Sequence, residues 1–512
     1  MRLTVLFCIA LSALPVLAQE APTTNERPER KREPATQPVE EKPVVTEHET
    51  TIGGNRIDYT ATTGQIPLKD DAGKTKARIF FVAYEMKRDP SGDAASRPLT
   101  FVFNGGPGAA SIWLHLGTAG PKRVVVPEDG RPPAPPYKLQ TNEHSWLDVT
   151  DLVFIDPVGT GFSRPAEGEK SREWFGVAGD VESVGEFIRI YLTKYKRWPS
   201  PKFLAGESYG TTRAAGLSEH LHDRHGIDLN GIVLISTVLN FQTLSASPGN
   251  DLPYPLFLPT YTASAWYHKK LSPRLQNQDL KKTLDEAQAW ALGTYLPALA
   301  RGSSLSNEER QQIIAKLTEY SGLPVDYVER SFLRVSPGRF QKSLLADRRK
   351  LIGRMDGRIT GDDADPLNDT PDFDPSLTGY VGLFSSTFND YVRRELKYEG
   401  SEWTNYEFLS PRVGQWDFGP AGTGYLNVAT TLRECMAKVP SMRVMLASGY
   451  YDFATPFTAA DYTINQMPLS DALRKNITHE YYEGGHMMYL NEPSLVKLKA
   501  DLARFYEGAL TR

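Results

Sequence analysis

Gly206–Glu207–Ser208–Tyr209–Gly210 sets a serine between two glycines. The strand-like Phe203–Ala205 precedes it, and a helical pattern from Ser208 to His222 follows, stopped near Gly226. A serine on a sharp strand-to-helix turn has its hydroxyl lifted clear of the sheet, and the crowded backbone there favours glycine on either side. Such a hydroxyl is a weak nucleophile until a base takes its proton. Of the nine histidines, His486 in Gly484–Gly485–His486–Met487 sits directly after a strand near the C-terminus, on a loop that can swing over the sheet. Asp452, in Gly449–Tyr450–Tyr451–Asp452, follows the strand Val444–Ala447 and can orient that histidine. Singly, each residue has an ordinary turn or cap explanation. Together, Ser208, Asp452 and His486 occur in one chain order, each after a predicted strand, and suit acyl transfer through a covalent intermediate.

A second segment bears on the same chemistry. Asn104–Gly105–Gly106–Pro107–Gly108 follows the strand Leu99–Phe103. A glycine pair after a central strand presents bare N–H groups to a developing oxyanion, beside the N–H that follows the serine. His220, His222 and His225 are spaced like partial metal ligands, but no carboxylate or cysteine completes a zinc set, so they read as surface residues. The acidic stretch Gly361–Asp374 misses the calcium-loop spacing and reads as a solvated loop.

These residues need elements to hold them. Ile79–Tyr84, Leu99–Phe103, Leu152–Ile155, Phe203–Ala205, Ile232–Ile235, Val444–Ala447 and His479–Tyr482 read as strands, with Asp89–Gly92 as a turn. Val181, Val184, Phe187, Ile188 and Tyr191 recur at helical spacing, and Ala429–Lys438 reads as a further helix. Strands alternating with helices predict an α/β fold with a mostly parallel central sheet covered on both faces. The rhythm stops near residue 240. Residues 245–415 are Pro-rich, then mainly helical, with Asn307–Tyr320 and Val325–Arg334 as amphipathic examples, and predict a cap inserted between two core parts, 48–244 and 416–512. A cap over the carboxyl ends of the strands would shape the pocket.

The chain has 512 residues, 40% hydrophobic and 23% charged, which is globular composition. Its 58 Lys+Arg against 62 Asp+Glu give a net charge of −4 and no support for nucleic-acid binding. Only Cys8 and Cys435 are present, which excludes zinc ribbons, iron–sulfur clusters and a disulfide scaffold. Arg2, the apolar run Leu3–Val16 and the small Ala18 predict an export signal over residues 1–18. Residues 19–47, with five prolines, dense charge and no aromatic, predict a disordered tether. No transmembrane span is expected after cleavage, and the destination would be periplasmic or secreted.

The motifs resemble those of the serine carboxypeptidase family. Phe103–Ser111 (FNGGPGAAS) is similar to its W-N-G-G-P-G-C-S-S, Asp151–Ser163 to its strand-then-G-x-G-F-S segment, and Gly206–Gly210 to its G-E-S-Y elbow. Gly449–Pro456 and Gly484–Met487 are similar to its Asp and His segments. The matches span roughly residues 75–240 and 425–505 in the family's order. The resemblance implies an α/β-hydrolase fold with no cofactor and no metal, while the export signal and the lack of a cysteine pair suit a bacterial, exported member. It implies Ser208 as nucleophile, His486 as general base and then acid, and Asp452 as its orienter, with the N–H groups of Gly106 and Tyr209 as the oxyanion hole. Asn104 and Glu207 match the positions that bind the free C-terminal carboxylate of a peptide substrate. Two facing carboxylates repel unless one holds a proton, so this pairing would favour acidic pH. The chain departs from the family pattern at Ala109 in place of cysteine, Phe103 in place of tryptophan, and Met488–Tyr489 in place of Val-Pro.

The leading expectation is therefore an exported serine carboxypeptidase. An esterase or acyltransferase with the same triad is the alternative, and a non-catalytic peptide-binding protein the second. Asn104 together with Glu207 favours the peptidase, and the complete triad disfavours the binder.

Overall fold

The computed structural model describes residues 42–87, 97–400, 404–414, 416–419 and 424–511. The leader, most of the tether and the Asp89–Gly92 turn lie outside the described residues. Three long strands come first: β1 (Val44–Ile52), β2 (Asn55–Lys69) and β3 (Thr75–Met86), paired antiparallel. The tether predicted for 19–47 therefore ends early, because residues 44–47 already pair with 60–63. The polar residues of Val44–Ile52 alternate outward on an edge strand, so its composition matches that of a tether.

Six of the shorter strands that follow complete the main run of the sheet: β4 (Leu99–Phe103), β5 (Asp151–Ile155), β6 (Lys202–Glu207), β7 (Gly231–Ile235), β8 (Arg443–Gly449) and β9 (Ile477–Tyr482). The sheet order is β1-β2-β3-β5-β4-β6-β7-β8-β9. All pairs from β5 to β9 are parallel, whereas β3 meets β5 antiparallel. Parallel strands buried on both faces read as unbroken apolar runs, as in Gly231–Ile235 and Leu99–Phe103.

The period of two divides the core. Ile79, Phe81 and Ala83 of β3 join one apolar cluster with Val184, Phe187 and Tyr191 of helix α1 (Val177–Lys194). Phe81 stands 5.7 Å from the ring of Phe187 and 5.7 Å from that of Tyr191. Helices α2 (Tyr209–His225) and, further on, Ala429–Lys438 cover the same face. Phe80, Val82 and Tyr84 face the other side, with Leu495, Leu498 and Leu502 of the C-terminal helix Glu492–Leu510. The carboxyl ends of β4, β6, β8 and β9 thus open on one rim between two covered faces.

The segment predicted as a single cap, 245–415, divides in two. Helices between Pro253 and Ser343 enclose their own cluster, with Tyr261, Leu317, Tyr320 and Phe340 at its centre. Helix Pro375–Arg394 does not join them. Its apolar stripe Tyr380, Leu383, Phe384, Phe388 and Tyr391 packs into the cluster on the sheet's own face. The acidic stretch before it is tied up locally: Lys342 pairs with Asp363, and Arg339 with Asp369 at 3.2 Å. Among the described residues no helix is long and apolar enough to cross a membrane.

Candidate active site

The sheet register brings the predicted residues together. β4 and β6 are parallel neighbours with Phe103 opposite Gly206, so the next residues, Asn104 and Glu207, stand side by side at the rim of the sheet. Asn104 Nδ2 donates to Glu207 Oε1 at 3.0 Å, and Asn104 Oδ1 accepts from the N–H of Leu114 at 3.0 Å. Ser208 follows directly at φ 60°, ψ −129°, a strained conformation for a residue with a Cβ, of a kind that costs about 1–3 kcal/mol. Its N–H donates to the carbonyl of Ile235 and its carbonyl accepts from Thr211, which fixes the elbow on both sides. The glycines are there for space. A Cβ on Gly206 would run into the Gly210 carbonyl, and one on Gly105 would meet the backbone nitrogens of Tyr209 and Gly210. This close approach sets the Gly105–Gly106 loop against the first turn of α2, whose free N–H groups and dipole favour negative charge.

Asp452 and His486 meet from neighbouring strands. The Nδ1 of His486 lies 2.8 Å from Asp452 Oδ2. Asp452 is fully buried, and accepts from the N–H groups of Ala454 (2.7 Å) and Thr455 (2.9 Å) and from the Thr455 hydroxyl (2.7 Å). Four partners leave the carboxylate one orientation. The His486 loop is held as tightly: its carbonyl accepts from the Ser236 hydroxyl at 2.7 Å, and its N–H donates to the carbonyl of Met355. Burial acts against the imidazolium, but the charge and hydrogen bond of Asp452, with the charge of Glu207, outweigh it and raise the His486 pKa. With Nδ1 committed, Nε2 is the ring nitrogen left for the cleft, which Ser208 and His486 both line.

Glu207 is the second buried carboxyl here. Burial, opposed by His486 and by its own hydrogen bonds, pushes its pKa up to about 7. The Tyr489 hydroxyl donates to its Oε2 at 2.6 Å. Tyr489 is one of the departures from the family pattern, and its contact with Glu207 depends on a loop nearly three hundred residues away in sequence. Beneath the elbow, Arg213 of α2 and Asp180 of α1 form a buried pair at 2.8 Å, and Arg213 also donates to the Asn104 carbonyl at 2.7 Å. That pair ties both helices to the end of β4.

The structure thus gathers Ser208, Asp452, His486, Asn104, Glu207, Gly106 and Tyr209 at one rim; all of them except Asp452 line a single cleft, with Asp452 behind His486. Sequence reasoning missed Thr455, Ser236, Tyr489 and the Arg213–Asp180 pair. Thr455 lies within the matched Asp segment and could have been found there, whereas the other contacts arise only from folding. The histidines read as surface residues stand apart, with His222 against Asp228 at 2.7 Å and His220 edge-on to His225.

A Ser-His-Asp set at the carboxyl ends of a mostly parallel sheet, with its His and Asp buried and its Ser at the cleft, defines an α/β-hydrolase fold. The chain matches the serine carboxypeptidase family over residues 55–494 and belongs to that family. It is 31% identical over 156 residues to serine carboxypeptidase-like 33 of Arabidopsis thaliana, covering 30% of each chain. It is 35% identical over 159 residues to the pheromone-processing carboxypeptidase KEX1 of Saccharomyces cerevisiae, covering 28% of this chain and 20% of that protein. The matched stretches therefore span between a fifth and a third of these relatives' length. The solved structure of yeast KEX1 superposes with a TM-score of 0.54 at 18% identity, covering 88% of this chain and 91% of that one, a likeness of fold.

Proposed function

We propose that the protein is a serine-type carboxypeptidase that removes the C-terminal residue of peptides. Ser208 Oγ attacks the last peptide carbonyl while His486 Nε2 takes the hydroxyl proton, and Asp452 holds the Nδ1–H of the resulting imidazolium. The oxyanion is received by the N–H groups of Gly106 and Tyr209, in the field of the α2 N-terminus. His486 returns the proton to the leaving amine, which departs as a free amino acid. Water then attacks the acyl-Ser208 ester, giving its proton to His486, and the proton passes back to Ser208 as the shortened peptide leaves.

The observation that carries this reading is Glu207. A carboxyl with a pKa near 7 lies one residue from Ser208, held by Asn104 and Tyr489. Protonated, it donates a hydrogen bond to a substrate α-carboxylate, and ionised, it repels one. The two titrations bound the activity from opposite sides. Below the raised pKa of His486 the base is protonated and turnover falls; above about pH 7 Glu207 ionises and binding of free acids weakens. The Glu207 titration therefore favours free-acid substrates below about pH 7 while the His486 titration opposes turnover from the acid side, so peptide hydrolysis peaks close to neutrality.

The test is to incubate the purified protein with an unblocked decapeptide and follow products by mass spectrometry. A ladder of single-residue losses from the C-terminus, absent in Ser208→Ala, is expected. Internal fragments, or a ladder that persists in Ser208→Ala, would refute the reading.

A further inference from the structure

The cleft contains one charged group that the chemistry above does not use. Arg354 lines it together with Ser208 and His486, and its side chain is exposed. Its backbone is pinned. The Arg354 N–H donates to Asp374 Oδ1 at 2.9 Å, and its carbonyl accepts from the N–H of Phe453 at 3.0 Å, on the Asp452 loop. The next carbonyl, Met355, accepts from the His486 N–H. Met355 N–H in turn donates to the Ser376 hydroxyl at 2.9 Å. Residues 354 and 355 are thus fixed to the two loops that carry Asp452 and His486.

The guanidinium itself is unused. Among the described residues it has no carboxylate or carbonyl partner, whereas its neighbour Arg358 is fully engaged, with Asp356 at 2.6 Å and the Glu483 carbonyl at 2.7 Å. The same cleft is lined by apolar side chains as well, among them Trp113, Leu377, Leu409 and Met487. A planar cation with a fixed base, free donors and apolar surroundings matches a carboxylate, which its fork can bind through two parallel hydrogen bonds. Its positive charge also opposes protonation of His486, so the two groups are within electrostatic reach. The α-carboxylate already has Asn104 and Glu207. We propose that Arg354 receives an acidic side chain of one of the two residues flanking the scissile bond, so that the enzyme favours peptides with Glu or Asp there. This inference rests on the carboxypeptidase reading.

The experiment uses N-blocked dipeptides in which Glu, Gln, Lys or Leu occupies either position, plus the C-terminal amide of each, at pH 6.5. Glu and Gln are nearly isosteric, so the ratio of their kcat/KM values isolates the charge, and it is read within each variant so that any loss of overall activity cancels. Wild type is expected to favour Glu over Gln by about two- to fivefold at one of the two positions, as for an exposed ion pair, and less at high salt. Arg354→Met should bring the ratio to about 1, and Arg354→Glu should turn the preference toward Lys. A wild-type ratio near 1 at both positions, or one that survives in Arg354→Met, overturns the inference. So does a fall in acid-over-amide preference with the Glu/Gln ratio intact, which would give Arg354 the α-carboxylate instead. If Leu dipeptides are hydrolysed in any of these cases, the carboxypeptidase reading stands without the inference; if no dipeptide acid is hydrolysed, both fall.

Discussion

The floor of the cleft and its roof are built in different ways. On the floor, Asp452, His486 and Glu207 sit at strand ends, and their side chains are oriented by hydrogen bonds: Asp452 accepts from Thr455 and from His486 Nδ1–H, and Glu207 accepts from Asn104 and Tyr489. On the roof, Arg354, Met355, Leu377 and Leu409 come from between β7 and β8, and what fixes residues 354 and 355 is main-chain bonding to Asp374, Ser376, Phe453 and His486. Side-chain bonding makes a floor residue hard to replace. Main-chain bonding leaves a roof side chain free to vary without moving its backbone. The floor is therefore suited to carry the reaction and the roof to carry the choice of substrate.

Substitutions on each side can sharpen or break that division. The largest effect is expected at the serine: Ser208→Ala should lower kcat about 10⁴- to 10⁶-fold on every substrate while leaving the melting temperature close to wild type. A modest loss, or a loss on some substrates only, would move the chemistry elsewhere. Next is Arg213→Met, which strands Asp180 in a buried site and frees the Asn104 carbonyl. A loss of about 3–5 kcal/mol of stability in denaturant titrations is expected. If stability holds, the pair is not bracing the elbow. On the roof, Leu377→Ala should raise KM for apolar C-terminal residues by up to about tenfold with kcat nearly unchanged, as expected for binding shared by ground and transition states. A matching fall in kcat would mean the roof enters the chemistry. The smallest change is Tyr489→Phe. The Tyr489 hydroxyl lowers the Glu207 pKa, so its removal should move the alkaline limb of free-acid hydrolysis upward, with no such movement for a dipeptide amide. A downward shift would contradict the assigned contact.

The floor was legible in the sequence and much of the roof was not, for a physical reason. Ser208, Asp452 and His486 each lie within a few residues of a strand end, so local patterns located both the strand and the turn. The register that sets Asn104 beside Glu207 follows once β4 and β6 are neighbours. Arg354 and Leu409 reach the cleft only because the chain folds back over it, and no local periodicity encodes that. Helix Pro375–Arg394 shows the same limit. Its stripe is plain in sequence, but a stripe does not name its partner, and the partner proved to be the sheet face. Val44–Ile52 was missed for the opposite reason, since an edge strand with polar residues facing out has little apolar signal of its own. Tyr489 stood out as a departure from the family pattern, yet its bond to Glu207 required the folded structure.

The most direct measurement compares an N-blocked dipeptide with its C-terminal amide, in wild type and Glu207→Gln, from pH 5 to 8.5. The account predicts that wild type prefers the free acid below about pH 7, that this preference decays as Glu207 ionises, and that Glu207→Gln removes the decay, because a neutral amide cannot ionise. A preference for the acid that is flat across this range, or a decay that survives in Glu207→Gln, would contradict the claim that Glu207 reads the substrate carboxylate.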